Sequence, residues 1–216
     1  MEYMRTIPSK FFDLAVVDPP SGINAPNMKM GEHGKYESTA TKLKKGRLNQ
    51  GAGKLKDRAI QMLPVEWDYA PPAKEYFDEL FRVSKNQIIW GGNYFNLPPT
   101  RGIICWDKMQ PWENFSQIEL AWTSFDCPAK MVRISTTGGA NKEKKIHPTQ
   151  KPTRLLERLL ALVTKEGTTI LDPFSGSAST AIACLNTNRN YIGFEIDKEY
   201  YDKSIERIKK QEPRLF

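Results

Sequence analysis

Two stretches of this chain share one design, and they constrain its fold more than any other feature. Residues 15–22 (A-V-V-D-P-P-S-G) and 170–180 (I-L-D-P-F-S-G-S-A-S-T) each begin as an apolar run that ends at an acidic residue and then turns. This pattern is typical of the carboxyl end of a buried parallel strand, where open α/β sheets bind their ligands. We therefore expect an α/β fold with Asp18 and Asp172 at ligand-binding strand ends.

Hydrophobic spacing predicts the other elements. Single strands are predicted at 11–17, 87–90, 101–106, 168–171 and 191–194, a strand pair at 118–125 and 131–135, and helices at 72–83, 152–162, 178–185 and 198–210. On the last helix, Tyr201, Ile205 and Ile208 are expected to face inward. Strands that alternate with helices from Thr168 onward favour a parallel sheet.

Length and composition are those of a soluble α/β protein. The 216 residues suit one domain spanning 1–216, and no apolar run approaches the length of a membrane helix. Residues 1–10 lack the apolar centre of a signal peptide. Cys105, Cys127 and Cys184 are far apart and form no C-x-x-C, which disfavours a zinc site or a disulfide. We expect a cytoplasmic protein in a reducing compartment, with no membrane partner.

The net charge of +7 is concentrated in one region. Residues 29–58 carry nine Lys and Arg against three Asp and Glu, inside a stretch (22–63) without helical or strand periodicity. A loop this long is usually functional or disordered, and concentrated positive charge fits a nucleic acid, although a solvated loop is the alternative. We interpret 22–63 as a mobile, basic loop that contacts a nucleic acid. Its candidate contacts are Lys42, Lys44, Lys45, Arg47 and Lys54.

Further motifs flank the second turn. Residues 147–152 (H-P-T-Q-K-P) precede it, and residues 193–197 (G-F-E-I-D) follow it. In this order after Asp18-Pro19-Pro20, they resemble the β group of DNA amino-methyltransferases, in particular its short, solitary, phage-like members. These enzymes use S-adenosylmethionine (AdoMet) to methylate adenine N6 or cytosine N4. The resemblance implies a Rossmann-like methyltransferase fold, with a mixed seven-stranded sheet, helices on both faces and permuted motif order.

The resemblance also implies an AdoMet site around the second turn. The candidate AdoMet-binding residues are Asp172, Phe174, Gly176, Ser177, Glu195, Thr149, Gln150 and Lys151. Asp172 would receive the amino group of the cofactor, Phe174 would wall the pocket, and Glu195, 23 residues later, would bind the ribose hydroxyls. Residues 149–151 would help to hold the carboxylate, whereas His147 is interpreted as part of a helix-entry turn. Taken alone, 172–177 also fits a strand-to-helix turn of any α/β protein. A sulfonium is a good leaving group, so no metal is implied.

The first turn would hold the target amine. The candidate catalytic residues are Asp18, Pro19, Pro20 and Ser21. The Asp18 carboxylate can accept one N–H and the Pro19 carbonyl the other, which aims the lone pair at the methyl group, while both prolines fix the turn. In duplex DNA the base must first be flipped out. Ser21 departs from the family, in which an aromatic residue stacks on that base at about 1–3 kcal/mol.

Other aromatic residues are candidates to replace the missing stack. They are Trp90, Tyr94, Phe95, Trp106 and Trp112. Trp90 and Asn93, in the segment W-G-G-N-Y-F at another strand end, are candidate DNA contacts, although a core strand with a glycine-rich exit is the alternative. A second basic loop, 137–145, would share the DNA contacts, mostly to phosphates.

The first residue of the tetrad Asp18-Pro19-Pro20-Ser21 bears on the base that is methylated. In this family Asp there usually accompanies adenine N6 and Ser cytosine N4, so Asp18 predicts a site-specific adenine-N6 methyltransferase acting on double-stranded DNA. A homodimer and a cognate restriction nuclease are further candidate partners. The alternatives are cytosine N4, RNA adenine or a protein glutamine amide as substrate, or a protein that binds AdoMet and DNA but is impaired in catalysis by Ser21.

Overall fold

Seven strands form one sheet in the computed structural model, which describes residues 1–23, 68, 70–110, 116–135 and 143–211. The strands are β1 (Phe12–Val17), β2 (Ser84–Trp90), β3 (Ile103–Asp107), β4 (Ile118–Thr123), β5 (Lys130–Arg133), β6 (Thr169–Asp172) and β7 (Asn190–Gly193). The helices are α1 (Glu2–Thr6), α2 (Lys74–Val83), α3 (Thr153–Val163), α4 (Ser179–Asn186) and α5 (Lys198–Lys209), with a 3-10 turn at Gly92–Tyr94.

The sheet is mixed because one strand is reversed. The strand order is β5-β3-β4-β2-β1-β6-β7, and β4 runs antiparallel to both of its neighbours. The other neighbouring strands are parallel, so their carboxyl ends lie at one edge. The predicted mixed seven-stranded α/β fold is confirmed.

The predicted pairing of residues 118–125 with 131–135 is wrong. Both edges of β4 are already hydrogen-bonded, one to β2 and the other to β3. The next strand along the chain, β5, therefore pairs in parallel with the open edge of β3, Cys105 lying opposite Met131.

Two hydrophobic cores cover the two faces of the sheet. On one face α3 and α4 pack on β1 and β2 through side chains that include Leu155, Leu159 and Ile88. On the other face α1 and α2 pack through Met4 and Leu80. Most of β1 is buried on both faces, which accounts for its unbroken apolar sequence.

One of the three residues predicted to face inward from the last helix does not do so. Tyr201 is 47% exposed, whereas Ile205 and Ile208 are half-buried. The buried position is Ser204, and Arg207 points from the same face toward the α4 entrance, so this face is more polar than hydrophobic spacing suggests. The helix begins at Asp197, whose carboxylate accepts the backbone N–H groups of Glu199 and Tyr200. In the described part of the chain, no helix has the length and apolarity needed to span a membrane.

Candidate active site

Three acidic residues follow neighbouring parallel strands and open onto the same cleft. Asp18 follows β1, Asp172 ends β6, and Glu195 lies just after β7. Because β6 is hydrogen-bonded to both β1 and β7, these strand ends are adjacent. All three residues line a cleft of about 1040 Å³. The tertiary structure thus brings together the two turns that lie about 150 residues apart in sequence.

Glu195 organises the turn after β6. One carboxylate oxygen accepts the Gly176 N–H at 2.7 Å, and the other accepts the Asp197 N–H at 2.9 Å. Gly176 has a φ of +49°, a conformation that glycine adopts without strain. The Phe194 N–H also donates to the Asp172 carbonyl at 3.0 Å, which ties the ends of the two strands together. These hydrogen bonds hold the turn beside the cleft.

Asp172 is buried, and no cationic side chain of the described residues lies at hydrogen-bonding distance from it. It is 4% exposed and accepts the Phe174 N–H at 3.1 Å as well as a hydrogen bond from Thr180. Burial raises the pKa of Asp172 to about 7, and these hydrogen bonds only partly offset that rise; the nearby charge of Asp18 adds to it. A ligand cation beside this carboxyl would favour its ionised form.

Phe174 and Tyr76 form an aromatic wall next to Asp172. Their ring centroids lie 5.3 Å apart, and both residues line the cleft. Tyr76 is 6% exposed, and its hydroxyl has no hydrogen-bond partner among the described residues. Burial raises its pKa well above the usual tyrosine value, so the hydroxyl is neutral and able to donate. No sequence signal distinguished Tyr76 from an ordinary core residue of α2.

The Asp-Pro-Pro-Ser turn is held by Asp68, which sequence reasoning missed. The Asp68 carboxylate accepts the N–H of Ser21 at 2.6 Å and that of Gly22 at 2.9 Å, and it is 2% exposed. Pro19 is buried and Pro20 lines the cleft, and Ser21 is half-buried. Asp68 lies 47 residues after Ser21 in sequence, so no local pattern could have linked them.

Lys151 lies on the Asp18 side of the cleft. Its ammonium contacts Asp18 Oδ2 at 2.6 Å and Glu119 Oε2 at 3.4 Å, and it sits 4.8 Å from the centre of the Trp90 ring. Lys108 holds the other oxygen of Glu119 at 2.6 Å. Lys151 therefore belongs to a chain of alternating charges that reaches from β3 to the turn after β1. Whether it also reaches a cofactor carboxylate, as the resemblance implies, stays a prediction.

Burial and the nearby opposite charges shift the pKa values of Asp18, Lys151 and Glu119 in opposite directions. Burial raises the pKa of Asp18 above its usual value, and the charges of Glu119 and Asp68 add to this, although Lys151 opposes it. Burial alone would lower the pKa of Lys151, but the nearby charges of Asp18 and Glu119 outweigh it and raise that pKa. Burial also acts to raise the pKa of Glu119, yet the two lysines lower it on balance. Lys151 is thus a cation shared by two carboxylates.

The segment before α3 is braced internally. The Gln150 side chain accepts the Ile146 N–H at 3.0 Å and contacts the Lys144 carbonyl at 3.4 Å. Thr149 lines the cleft and hydrogen-bonds the His147 ring at 3.2 Å. Burial, with the charge of Lys151, lowers the pKa of His147 to about 4, so its ring is neutral near pH 7. These contacts shape a turn at the helix entrance.

A second feature missed by sequence reasoning is the contact set of Arg207. Its guanidinium donates to the Ser177 carbonyl at 2.7 Å and to Ser179 Oγ at 2.9 Å, and it pairs with Glu143. Ser179 Oγ in turn donates to the Lys151 carbonyl at 2.8 Å. Arg207 thus connects the last helix to the backbone of both the 172–177 turn and the 147–152 segment. On a helix surface Arg is usually exposed, so no local signal in the sequence marks this role.

The N-terminal helix α1 forms another unpredicted wall. Residues 1–5 line the cleft, and Tyr3 packs against Phe194 with 4.7 Å between ring centroids. Arg82 of α2 holds this helix by donating to the carbonyls of Met4 and Ile7, both at 2.8 Å. A five-residue helix has too few turns to give a readable hydrophobic period.

The candidate DNA contacts are placed unequally. Asn93 is exposed, on the 3-10 turn after β2. Trp90 is 1% exposed and Trp106 is 2% exposed, so both rings belong to the core, although Trp90 also lines the cleft beneath Lys151. Phe95 packs against Phe77. Tyr94, at 47% exposed, is open to solvent. The remaining predicted contacts, Lys42, Lys44, Lys45, Arg47, Lys54 and Trp112, lie outside the described residues.

No metal-binding arrangement occurs within the ranges that the structure describes: no three His, Cys, Asp or Glu side chains are grouped so as to hold an ion. Of the cleft carboxylates, Asp18 is paired with Lys151, and Glu195 accepts backbone amides.

Comparison with curated proteins gives relatives over most of this chain. Type II methyltransferase M2.MboI of Moraxella bovis is 31% identical over 162 residues, which cover 74% of this chain and 55% of that protein. Type II methyltransferase M2.DpnII of Streptococcus pneumoniae is 32% identical over 144 residues, covering 67% and 49%. The chain therefore spans about half the length of the curated relatives it matches.

Solved structures share the fold at low sequence identity. The M1.HpyAVI–SAM complex has a TM-score of 0.52 at 18% identity, over 95% of this chain and 91% of that one. TTHA0409, a putative DNA modification methylase of Thermus thermophilus complexed with S-adenosyl-L-methionine, has a TM-score of 0.53 at 17% identity, over 99% and 93%. The family model for the N6/N4 DNA methylases matches residues 12–206. This chain belongs to the N6/N4 family of DNA methylases.

Proposed function

We propose that this chain transfers a methyl group from AdoMet to the N6 amine of adenine in DNA. The observation that carries the proposal is the convergence of Asp18, Asp172 and Glu195 on one cleft. An amine-holding turn and a candidate cofactor turn must face each other across a distance that a methyl group can bridge, and adjacent parallel strands provide such a juxtaposition.

The residues of the cleft fit AdoMet by their chemistry. Asp172 is a buried carboxyl whose pKa of about 7 reflects burial without a close cation, and the ammonium of AdoMet would supply that cation. Glu195 presents a carboxylate for ribose hydroxyls, and Phe174 offers an apolar wall. A cleft of about 1040 Å³ has room for a ligand of this size. Gly176, Ser177, Thr149, Gln150 and Lys151 remain predicted contacts.

AdoMet would supply an electrophilic methyl group on a sulfonium. The chain itself has to position the amine and stabilise the charge that develops on its nitrogen. Only Lys151 donates to Asp18 among the described residues, and it occupies Oδ2, which leaves Oδ1 for one N–H of the target amine. No described donor uses the Pro19 carbonyl, which is available for the second N–H. We call these two acceptors, the Asp18 carboxylate and the Pro19 carbonyl, the amine clamp. An amine whose two N–H groups are held by the clamp directs its lone pair away from it.

The choice of adenine rests on Asp18 at the first tetrad position. The fold does not separate the two bases, since the cytosine-N4-specific PvuII DNA methyltransferase also shares it, with a TM-score of 0.52 at 15% identity. Phosphate contacts are assigned to the basic residues between 29 and 58, whose charge suits a polyanion.

A second candidate function is binding of AdoMet and DNA without efficient turnover. Two observations favour it: the tetrad ends in Ser21 rather than an aromatic residue, and the Asp18 carboxylate is already engaged by Lys151. Both would lower the rate of transfer without removing the binding surfaces.

The deciding experiment uses AdoMet with an isotopically labelled methyl group and unmethylated DNA. After digestion, nucleoside mass spectrometry should find labelled N6-methyladenine with the wild type and none with Asp18→Ala. Asp126→Asn, at a side chain that is 84% exposed, is the matched control and should be as active as the wild type. Labelled N4-methylcytosine would overturn the choice of base. Absence of label on any base, with AdoMet binding intact, would favour the second candidate.

A further inference from the structure

The cluster around Lys151 contains one carboxylate that the proposed amine clamp does not use. Glu119 lies on β4, the reversed strand, opposite Trp106 of β3. Its side chain is 36% exposed, and it contacts both Lys108 and Lys151. Neither the motif pattern nor the hydrophobic spacing of the sequence assigns it a role.

We propose that Glu119 is a positioning residue that shares the Lys151 ammonium with Asp18. Lys151 keeps Asp18 ionised, and Glu119 draws part of that ammonium away, so that the Asp18 carboxylate remains available to the target amine. This inference rests on the proposed amine clamp. The Asp18 side chain is 34% exposed, and the adjacent ammonium favours its charged form. A cation held by that carboxylate alone competes with the amine for its oxygens.

The distances support a shared cation. Lys151 Nζ is 2.6 Å from Asp18 and 3.4 Å from Glu119, so a small displacement exchanges the nearer partner. The side chain of Lys151 is only 10% exposed, and the Trp90 ring 4.8 Å away forms one side of its surroundings. The ammonium therefore stays within the cluster when it moves, because leaving it would place an unpaired charge against the core.

Glu119 is itself held in place. Lys108, whose side chain is 16% exposed, contacts Oε1 of Glu119 at 2.6 Å and leaves Oε2 toward Lys151. The register of β3 and β4 fixes the backbone of Glu119. Lys108 thus sets how much of the Glu119 charge is available to Lys151: with Lys108 present the share is smaller, and without it the share would be larger.

Two variants should consequently shift the pKa of Asp18 in opposite directions. The charged groups that act on Asp18 are Lys151, Glu119, Asp68 and Asp172. Glu119→Gln removes a negative charge and leaves Lys151 to Asp18 alone, and both effects lower the pKa of Asp18. Lys108→Met leaves the Glu119 charge less neutralised and draws Lys151 toward it, and both effects raise the pKa of Asp18.

The first measurement is a titration that does not depend on turnover. Carboxyl carbon-13 NMR of Asp-labelled protein, with the Asp18 signal assigned by Asp18→Asn, should show a lower pKa in Glu119→Gln and a higher pKa in Lys108→Met than in the wild type. Glu166→Gln is the matched control, since Glu166 is exposed and lies outside this cluster, and should leave the Asp18 titration unchanged. An unchanged pKa in Glu119→Gln, or shifts of the same sign in both variants, would overturn the inference.

The second measurement is turnover with labelled AdoMet. Glu119→Gln should lower kcat by about 10- to 100-fold, because the clamp is occupied by the lysine, while KM for AdoMet stays within about twofold. Equal kcat values for Glu119→Gln and Glu166→Gln would contradict the inference. If the wild type transfers no label to any nucleic acid, the proposed function fails, while the NMR titration still decides the role of Glu119. Urea unfolding of each variant checks that the fold is intact.

Discussion

Replacing Arg207 with Met should destabilise the protein by about 2–3 kcal/mol and loosen the turn after β6. The Arg207 side chain is 13% exposed, and its guanidinium pairs with Glu143. It also donates to the Ser177 carbonyl at 2.7 Å and to Ser179 Oγ at 2.9 Å. Met has a similar length and retains the packing of the aliphatic stem, so the variant isolates the loss of the charged donors.

The magnitude follows from what remains after the substitution. Removing one partner of a buried ion pair costs about 3–5 kcal/mol when the other charge is left uncompensated. The Glu143 charge is not left uncompensated in this variant, because its side chain is 29% exposed. It also still accepts hydrogen bonds from the Thr153 N–H at 2.8 Å and the Thr153 hydroxyl at 2.9 Å. The Ser177 carbonyl loses a charged donor, worth about 1.5–3 kcal/mol. The expected loss of stability is therefore about 2–3 kcal/mol, below the cost of a buried charge that is left fully uncompensated.

Urea unfolding measures this loss directly. With an m value of about 2 kcal/mol per M, the midpoint should fall by about 1–1.5 M. Arg101→Met is the control: its pair with Asp126 is 69% and 84% exposed, so the loss should be below about 0.5 kcal/mol. In a double-mutant cycle, Arg207→Met and Glu143→Gln together should cost about 1–2 kcal/mol less than the sum of the single variants. A loss below about 0.5 kcal/mol for Arg207→Met, or strict additivity, would refute the reasoning.

Three further predictions concern the cleft. Ser21→Tyr should raise labelled-methyl transfer by about 10- to 100-fold, because a base–aromatic stack is worth about 1–3 kcal/mol; Ser21→Ala is its control. Calorimetry should show that AdoMet binds about tenfold more tightly at pH 8 than at pH 6. The reason is that Asp172, with a pKa of about 7, ionises in this interval and its carboxylate attracts the ammonium of AdoMet. Asp172→Asn should make the affinity nearly independent of pH. His147 should make the wild type lose about 3 kcal/mol more stability than His147→Gln as pH falls from 6.5 to 4, as judged by urea unfolding of both proteins. The reason is that the unfolded chain protonates His147 in this range while the folded chain, with a pKa of about 4, does not.

Each of these predictions has a result that contradicts it. Transfer by Ser21→Tyr no faster than by the wild type would show that a stack at this position is not what limits the rate. Equal AdoMet affinity at pH 6 and pH 8 would place the ammonium away from Asp172. For His147, the sign is set by a folded-state pKa below the unfolded one: its contribution to stability is complete above about pH 6.5 and is lost on acidification. The same pH dependence of stability in the wild type and in His147→Gln would contradict this assignment.

The sequence by itself determined the fold class and the chemistry at the strand ends. Unbroken apolar runs such as the one ending at Val17 are characteristic of strands buried on both faces, and a parallel sheet has to collect the carboxyl ends of such strands at one edge. Asp18, Asp172 and Glu195 could therefore be selected from local pattern alone. Helix positions followed in the same way from apolar spacing, as in α3, where Leu155, Leu156, Leu159 and Leu160 are all buried.

Only the tertiary structure decided which distant residues complete the site. Asp68 and Glu119 act on the Asp18 turn from other parts of the chain, and Arg207 reaches the candidate cofactor turn from the last helix. The partner of β5 also depends on the tertiary structure. Both edges of β4 are hydrogen-bonded to other strands, so β5 pairs with β3. Periodicity reports which side of an element is buried, but hydrogen-bond and charge partners depend on how the elements pack, and this is not encoded in local spacing.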